Sequence, residues 1–290
     1  MTNSGGKGAN QAVAAARLVD GVEVRMVGCV GDDSFGENLK QELSAERVNV
    51  EGVRTVQGRS GVAVIIVSAS FKVRADAEMQ EVQVERDSGE NRIMISPGAN
   101  AHVEAPLSLE SSLLIMQLEI PKEVVFSVIR STKIPILFNP TPAVDLPLDI
   151  YPKVEILVVN EVEAIQLTGL RFNTSDIVPQ AMKALGWFVS HGSRNVVITL
   201  GADGAVFRDE ATEATGLVPG RHVDKVVDTT GAGDTFVGAL AVYYVRARTT
   251  NIQFDLEEAV RYANRAAAWS VERLGTWKAM PSAKDLQSGL

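Results

Sequence analysis

Short apolar runs alternate with longer stretches whose apolar positions recur three and four apart along most of the 290 residues. The runs at 23–30, 62–68, 112–118, 134–138, 155–159 and 195–200 read as strands. Several are apolar nearly throughout, as strands covered on both faces must be. Helical spacing predicts helices over 7–18, 35–46, 122–130, 161–167 and 177–191, and two more near 233–246 and 256–273. Residues 201–204 read as a tight turn into a further strand at 205–208. This alternation predicts an α/β fold: a mainly parallel sheet sandwiched by helices, within one domain over residues 1–290. One segment breaks the rhythm. Residues 69–86, ASFKVRADAEMQEVQVER, are charged and weakly periodic, and are expected to form a solvated surface insertion before the polar turn at 87–91.

Composition narrows the possible partners. The formal net charge of −8 argues against nucleic acid or an anionic membrane as the main partner. It leaves phosphate ligands open, because their sites are built locally from backbone N–H groups and a few cations. A single cysteine, Cys29, rules out an intrachain disulfide and fits a reducing compartment. His102, His191 and His222 are scattered and form no metal-ligand spacing with it. No apolar run approaches the length of a membrane span.

The strongest chemical signal is VVDTTGAGDTFVGAL at 226–240. Glycines let the chain turn sharply with N–H groups facing outward, and a helix then adds its positive end. Gly231, Ala232 and Gly233 would thus cradle an anion such as a transferring phosphoryl group. Asp234, in the first turn, could take a proton from an attacking hydroxyl, or could simply be an acidic residue favoured at a helix start. The second signal is SGGKGANQ at 4–11. It lacks the spacing of a phosphate-binding GxxxxGK[ST] loop. It offers close backbone approach at Gly6 and Gly8, with Lys7 and Asn10 suited to vicinal hydroxyls; a flexible tail is the other reading. Third, Asn160 and Glu163 follow an apolar strand with capping-box spacing. They could equally orient hydrated Mg²⁺ and phosphate oxygens at a strand's C-terminal edge. Fourth, the turn Thr199, Leu200, Gly201, Ala202, Asp203, Gly204 could lie along a nucleotide.

The order GGKGANQA, LEIP, NEVEA, TLGADG and DTTGAGD resembles the ribokinase (PfkB carbohydrate kinase) family from Gly5 to about Pro281. The resemblance implies a ribokinase-like fold and transfer of the γ-phosphate of ATP to the terminal hydroxyl of D-ribose, giving ribose 5-phosphate. Another PfkB sugar or nucleoside kinase, or a catalytically impaired nucleotide-binding protein, is the alternative. It implies Asp234 as general base, Ala232 and Gly233 as the anion hole, and Gly6, Lys7, Gly8, Asn10 and Glu119 as sugar ligands. Asn160 and 199–204 would serve the nucleotide, with Asn264 near the adenine and Glu163 acting indirectly on Mg²⁺. A K⁺ site would draw on carbonyls of Asp228, Thr230, Ser270, Arg273 and Gly275. The implied setting is the cytoplasm, with the nucleus as an additional one.

Three departures stand against the pattern. The glycine motif opens the chain, where the family has a strand, a sugar-binding Asp and most of a β lid upstream. Residues 69–86 have no counterpart. Ala279 stands where the family has Ser. These imply a depleted lid and no family-type homodimer built through it; the first two also suggest an imperfect gene model.

Overall fold

The computed structural model describes residues 4–67, 82–83, 91–105, 110–171 and 177–287. Apart from 82–83, the expected insertion at 69–86 lies outside the described residues, as do 87–90.

Helix α1 (Lys7–Leu18) leads into a parallel pair, β1 (Val24–Gly31) and β2 (Val48–Val56), linked by α2 (Ser34–Ala45). Asp33 caps α2 by accepting from the N–H of Gly36. A three-stranded antiparallel sheet follows, with β3 (Val62–Val67) and β4 (Val82–Gln83) on either side of β5 (Asn91–Ser96). The main sheet has six strands among the described residues. Four are parallel: β6 (Leu114–Met116), β7 (Ile136–Phe138), β8 (Ile156–Asn160) and β9 (Asn195–Thr199). Two antiparallel strands, β10 (Ala205–Arg208) and β11 (Thr215–Val218), complete one edge.

The apolar strand runs are explained by two separate cores. Leu137, Ile156, Val158 and Val197 face one layer, α1 together with α6 (Ala232–Thr249) and α7 (Leu256–Val271). Their neighbours Phe138, Leu157, Val159 and Ile198 face the other, made by α3 (Lys122–Ser131), α4 (Glu161–Thr168) and α5 (Ile177–Ser190). Side chains alternate across a strand, so a strand covered twice must be apolar at every position. Where α1 crosses α6 a Cβ on Gly238 would lie 2.6 Å from the Ala14 Cβ, so only glycine permits the approach.

Several expectations needed revision. Strands β2, β4, β5 and β11 lie outside the predicted set, and Asn91, expected in a turn, opens β5. The strand expected at 112–118 shortens to Leu114–Met116, and that at 134–138 begins after Pro135, which has no N–H to give a ladder. Among the described residues β1 pairs only with β2 and β6 only with β7. Both line one open cleft of about 2390 Å³, which also reaches Gly6, Asn10 and Glu119. The short helices α8 (Thr276–Ala279) and α9 (Ala283–Gln287) close the described chain.

Candidate active site

The parallel strands β6 to β9 each deliver a polar group at or just past their C-terminal ends: Gln117 and Glu119 after β6, Asn139 after β7, and Asn160 and Thr199 at the last positions of β8 and β9. Ligands of open α/β sheets bind at that edge. Helices α1 and α6 bring their N-terminal turns to the same place. Gly6 begins α1 with φ of 96°, a conformation that favours glycine. The N–H of Lys7 then donates to Glu119 Oε2 at 2.6 Å. Gly8 stays small because a Cβ there would meet Met26 and Gln117 at 3.1 and 3.3 Å.

Asp234 stands in the first turn of α6, buried, with both carboxylate oxygens engaged. Asn10 Nδ2 donates to Oδ2 at 2.7 Å, and Gln11 Nε2 to Oδ1 at 3.0 Å. Burial pushes this carboxyl above its ordinary value, against the pull of the Lys7 charge and the two amide donors. Glu119 is raised as well, again chiefly by burial and slightly by Asp234, with Lys7 opposing. So Lys7, Asn10, Glu119 and Asp234, separated by up to 227 positions in sequence, form one cluster.

The glycine loop before Asp234 has the expected shape with one adjustment. Gly231 takes φ of 78° and would place a Cβ 2.6 Å from Thr276, so it needs glycine. The Ala232 N–H donates to the Thr229 carbonyl at 3.2 Å, which diverts it from the anion hole expected of it. Among the described residues no protein group accepts from the Gly233 N–H, and the space beside its Cα is open. That N–H and the helix end are left with the capacity to bind an anion.

On the other side, Asn160 and Thr199 sit opposite each other in the β8–β9 register. Asn160 and Glu163 form a full capping box: Asn160 Oδ1 accepts from the Glu163 N–H at 2.8 Å, and Glu163 Oε2 from the Asn160 N–H at 2.9 Å. Glu163 Oε1 accepts from Thr141, so its buried carboxylate faces inward. Gly201, Ala202 and Asp203 form an exposed single turn, while Leu200 buries its side chain and presents only backbone. Gly204 packs so tightly that a Cβ would lie 2.2 Å from the Val218 carbonyl. Asn264, on α7, donates to the Val218 and Pro219 carbonyls at 3.2 and 3.4 Å.

The loops expected to hold a monovalent cation are brought together. The N–H groups of Val227 and Asp228 both donate to the Val271 carbonyl. Asp228 takes the Thr230 N–H on one oxygen and the Gly275 N–H on the other, at 2.9 and 3.0 Å. The Ser270 carbonyl accepts from the Arg273 N–H. The Arg273 side chain folds back over the Trp269 ring at 3.7 Å, so only its backbone could serve such a site. Among the described residues no group of three His, Cys, Asp or Glu could hold a metal.

Sequence reasoning missed the groups that tie these parts together. Gln11 also donates to Asn139 Oδ1 at 3.1 Å, accepts from Gln117 at 2.5 Å, and Asn139 donates to the Val158 carbonyl of β8. A bonded chain therefore runs from Asp234 to the strand that ends in Asn160. The signal available was position alone: Gln11 closes the glycine motif at 4–11, and Gln117 stands directly before LEIP.

Comparison with known proteins shows the family and the fold. The family described as "pfkB family carbohydrate kinase" matches residues 2–283. The chain is 36% identical to ribokinase of Schizosaccharomyces pombe, over 97% of this chain and 84% of that one. It is 35% identical to deoxyribokinase of Salmonella typhimurium, over 96% and 84%. The solved structure of Arabidopsis thaliana ribokinase, complexed with ribose and ATP, superposes with a TM-score of 0.80 at 27% identity, covering 98% of this chain and 86% of that one.

Proposed function

The chain belongs to the pfkB carbohydrate kinase family, and we propose that it is an ATP-dependent kinase of D-ribose, forming ribose 5-phosphate. The observation that carries this reading is the buried Asp234 carboxylate, held by Asn10 and Gln11 beside the free Gly233 N–H.

In this reaction Asp234 takes the proton of the sugar's terminal hydroxyl as that oxygen bonds to the γ-phosphorus. The bond from phosphorus to the bridging oxygen of ADP breaks. Phosphoryl transfer needs alignment and charge stabilisation more than covalent help. The Gly233 N–H and the α6 N-terminus face the charge that develops on the phosphoryl oxygens. Lys7, Asn10 and Glu119 hold the sugar hydroxyls, and Gly6 allows the backbone to come close. A raised carboxyl at Asp234 suits a base, since a weaker acid has a stronger conjugate base.

Mg²⁺ would enter with the nucleotide phosphates. Glu163 spends both oxygens on its cap and on Thr141, so its part is to hold the start of α4 and the Asn160 beside it. The carbonyls of Asp228, Thr230, Ser270, Arg273 and Gly275 have the hard-oxygen chemistry that suits K⁺, and would steady the loop entering α6. No helix among the described residues is long and apolar enough to cross a membrane; a cytoplasmic setting, where ATP is at hand, suits the reaction.

The 35% identical deoxyribokinase keeps a 2-deoxy sugar as the second reading. Purified protein should be offered ATP, Mg²⁺ and K⁺ with ribose, deoxyribose, fructose and adenosine, and ADP release followed. Preferred turnover of ribose is expected. Preferred turnover of another sugar would reassign the substrate, and ATP binding without turnover of any would remove the kinase reading.

A further inference from the structure

The indole of Trp277, on α8, reaches across to α1, where its Nε1–H donates to Asn10 Oδ1 at 2.7 Å in a buried contact. The same Asn10 donates through Nδ2 to Asp234 at 2.7 Å. An amide has one accepting and one donating end, an indole can only donate, and a carboxylate can only accept. The indole therefore decides which end of Asn10 faces the carboxylate. Gln11 is fixed in the same sense, since its Oε1 is taken by Gln117.

We propose that Trp277 is a positioning residue for the general base: its N–H locks the Asn10 amide so that a donor, and not an acceptor, meets Asp234. The proposal rests on the reading of Asp234 as base. Trp277 is itself uncharged; the charged groups that face Asp234 are Lys7 on α1 and Glu119 after β6. Its own place is set from below. Arg17 donates to the Trp277 and Met280 carbonyls at 2.6 and 3.0 Å while paired with Glu46 at 2.5 Å. The segment is continuous with Gly275, whose N–H is held by Asp228. Thus a change in the 228–230 and 275 loops can reach the base through one indole N–H.

Without that N–H the Asn10 amide is free to turn. Its oxygen would then face the carboxylate, which loses a donor and gains a repulsive neighbour, so Asp234 would bind its proton more tightly. Trp277→Phe keeps a ring in the apolar cluster of Ala9, Val13 and Met280 and removes only the donor. The expected result is a kcat lower by about tenfold, with the acidic limb of the pH profile moved about one unit to higher pH and ATP affinity within about twofold of the parent. Trp277→His, which can again present an ε-nitrogen donor, should bring the limb part of the way back. An acidic limb for Trp277→Phe that overlays the parent's would overturn the proposal. If Trp277→Phe does not fold, Trp277→His carries the test alone. A limb between the parent's and one unit higher supports the proposal; a limb unchanged together with a tenfold loss of kcat overturns it. Asp234→Asn in the same assay separates the two layers. Turnover close to the parent's removes the base and the proposal with it. Loss of turnover there, with an unmoved limb in Trp277→Phe, removes Trp277 alone.

Discussion

In the function proposed above, the sugar side of the site is built from side chains, and the nucleotide side mainly from backbone. Around Asp234 the contacts are amides and carboxylates drawn from α1, α6 and the end of β6, each buried or half-buried and each bonded to another. Around Thr199 the elements are a capping box, an exposed turn and two glycines. The supports differ in the same sense. The nucleotide side rests on the six-stranded sheet with a core on each face. The sugar side rests between that sheet and the β1–β2 pair, across a cleft that both line. Side chains can be tuned one by one and carry charge, whereas backbone contacts fail only when the chain path is moved. Substitutions on the two sides should therefore fail in different ways.

The largest expected effect is on chemistry. Asp234→Asn keeps the shape and removes the base, so kcat should fall by about 10²–10⁴ while ATP binding, read by calorimetry, stays as in the parent. Weakened ATP binding in that variant would show that the two sides are not separable.

Next is a backbone lesion on the nucleotide side. Gly204→Ala would place a methyl 2.2 Å from the Val218 carbonyl and 2.3 Å from the Gly220 N–H, at φ of 97°. The turn must move, at a cost of about 1–3 kcal/mol in stability. The KM for ATP should rise at least about tenfold with the KM for ribose little changed; a shared rise in both would blur the division.

Glu119→Gln should raise the KM for ribose by about tenfold, the loss of one charged hydrogen bond, and leave the KM for ATP alone. It also has a pH signature. The parent carboxyl is raised above its ordinary 4.5 by burial, so the folded state holds a proton that the unfolded chain releases. Its contribution to stability is full below 4.5 and is lost as pH rises through the folded value. Melting curves taken upward from pH ~4 should show the parent losing stability relative to Glu119→Gln. Parallel curves would mean that the carboxyl is not desolvated as it stands here.

The smallest effect is a lost cap. Asn160→Ala leaves the Glu163 N–H without its side-chain acceptor and should cost about 1 kcal/mol of stability. A modest rise in the KM for ATP would add a nucleotide contact to the cap; an unchanged one would leave Asn160 purely structural.

These two sides were unequally legible. The strands β8 and β9 and the helices that follow them are continuous in sequence, with apolar runs, a capping box and glycines at turns, all of which act over a few residues. The strand β2 was hidden because VNVEGVRTV mixes charges and a glycine with its valines, being covered on one face and open on the other. The strand β5 was hidden because it begins on a polar residue and takes its partner, β3, from 24 to 34 positions away.

The sequence by itself determined the α/β alternation, the glycine loop that leads into Asp234, and the residue types of the site, because periodicity, turn chemistry and motif spacing are local. Only the tertiary structure decided that Ala232 spends its N–H on Thr229, that Glu163 turns inward to Thr141, and that Gln11, Asn139 and Trp277 share the site with Asn10 and Asp234. Apart from the local turn at Ala232, each of those outcomes is a choice of hydrogen-bond partner between segments distant in the chain. A donor or acceptor in a sequence names what it can bond, and packing alone selects which partner lies within about 3 Å of it.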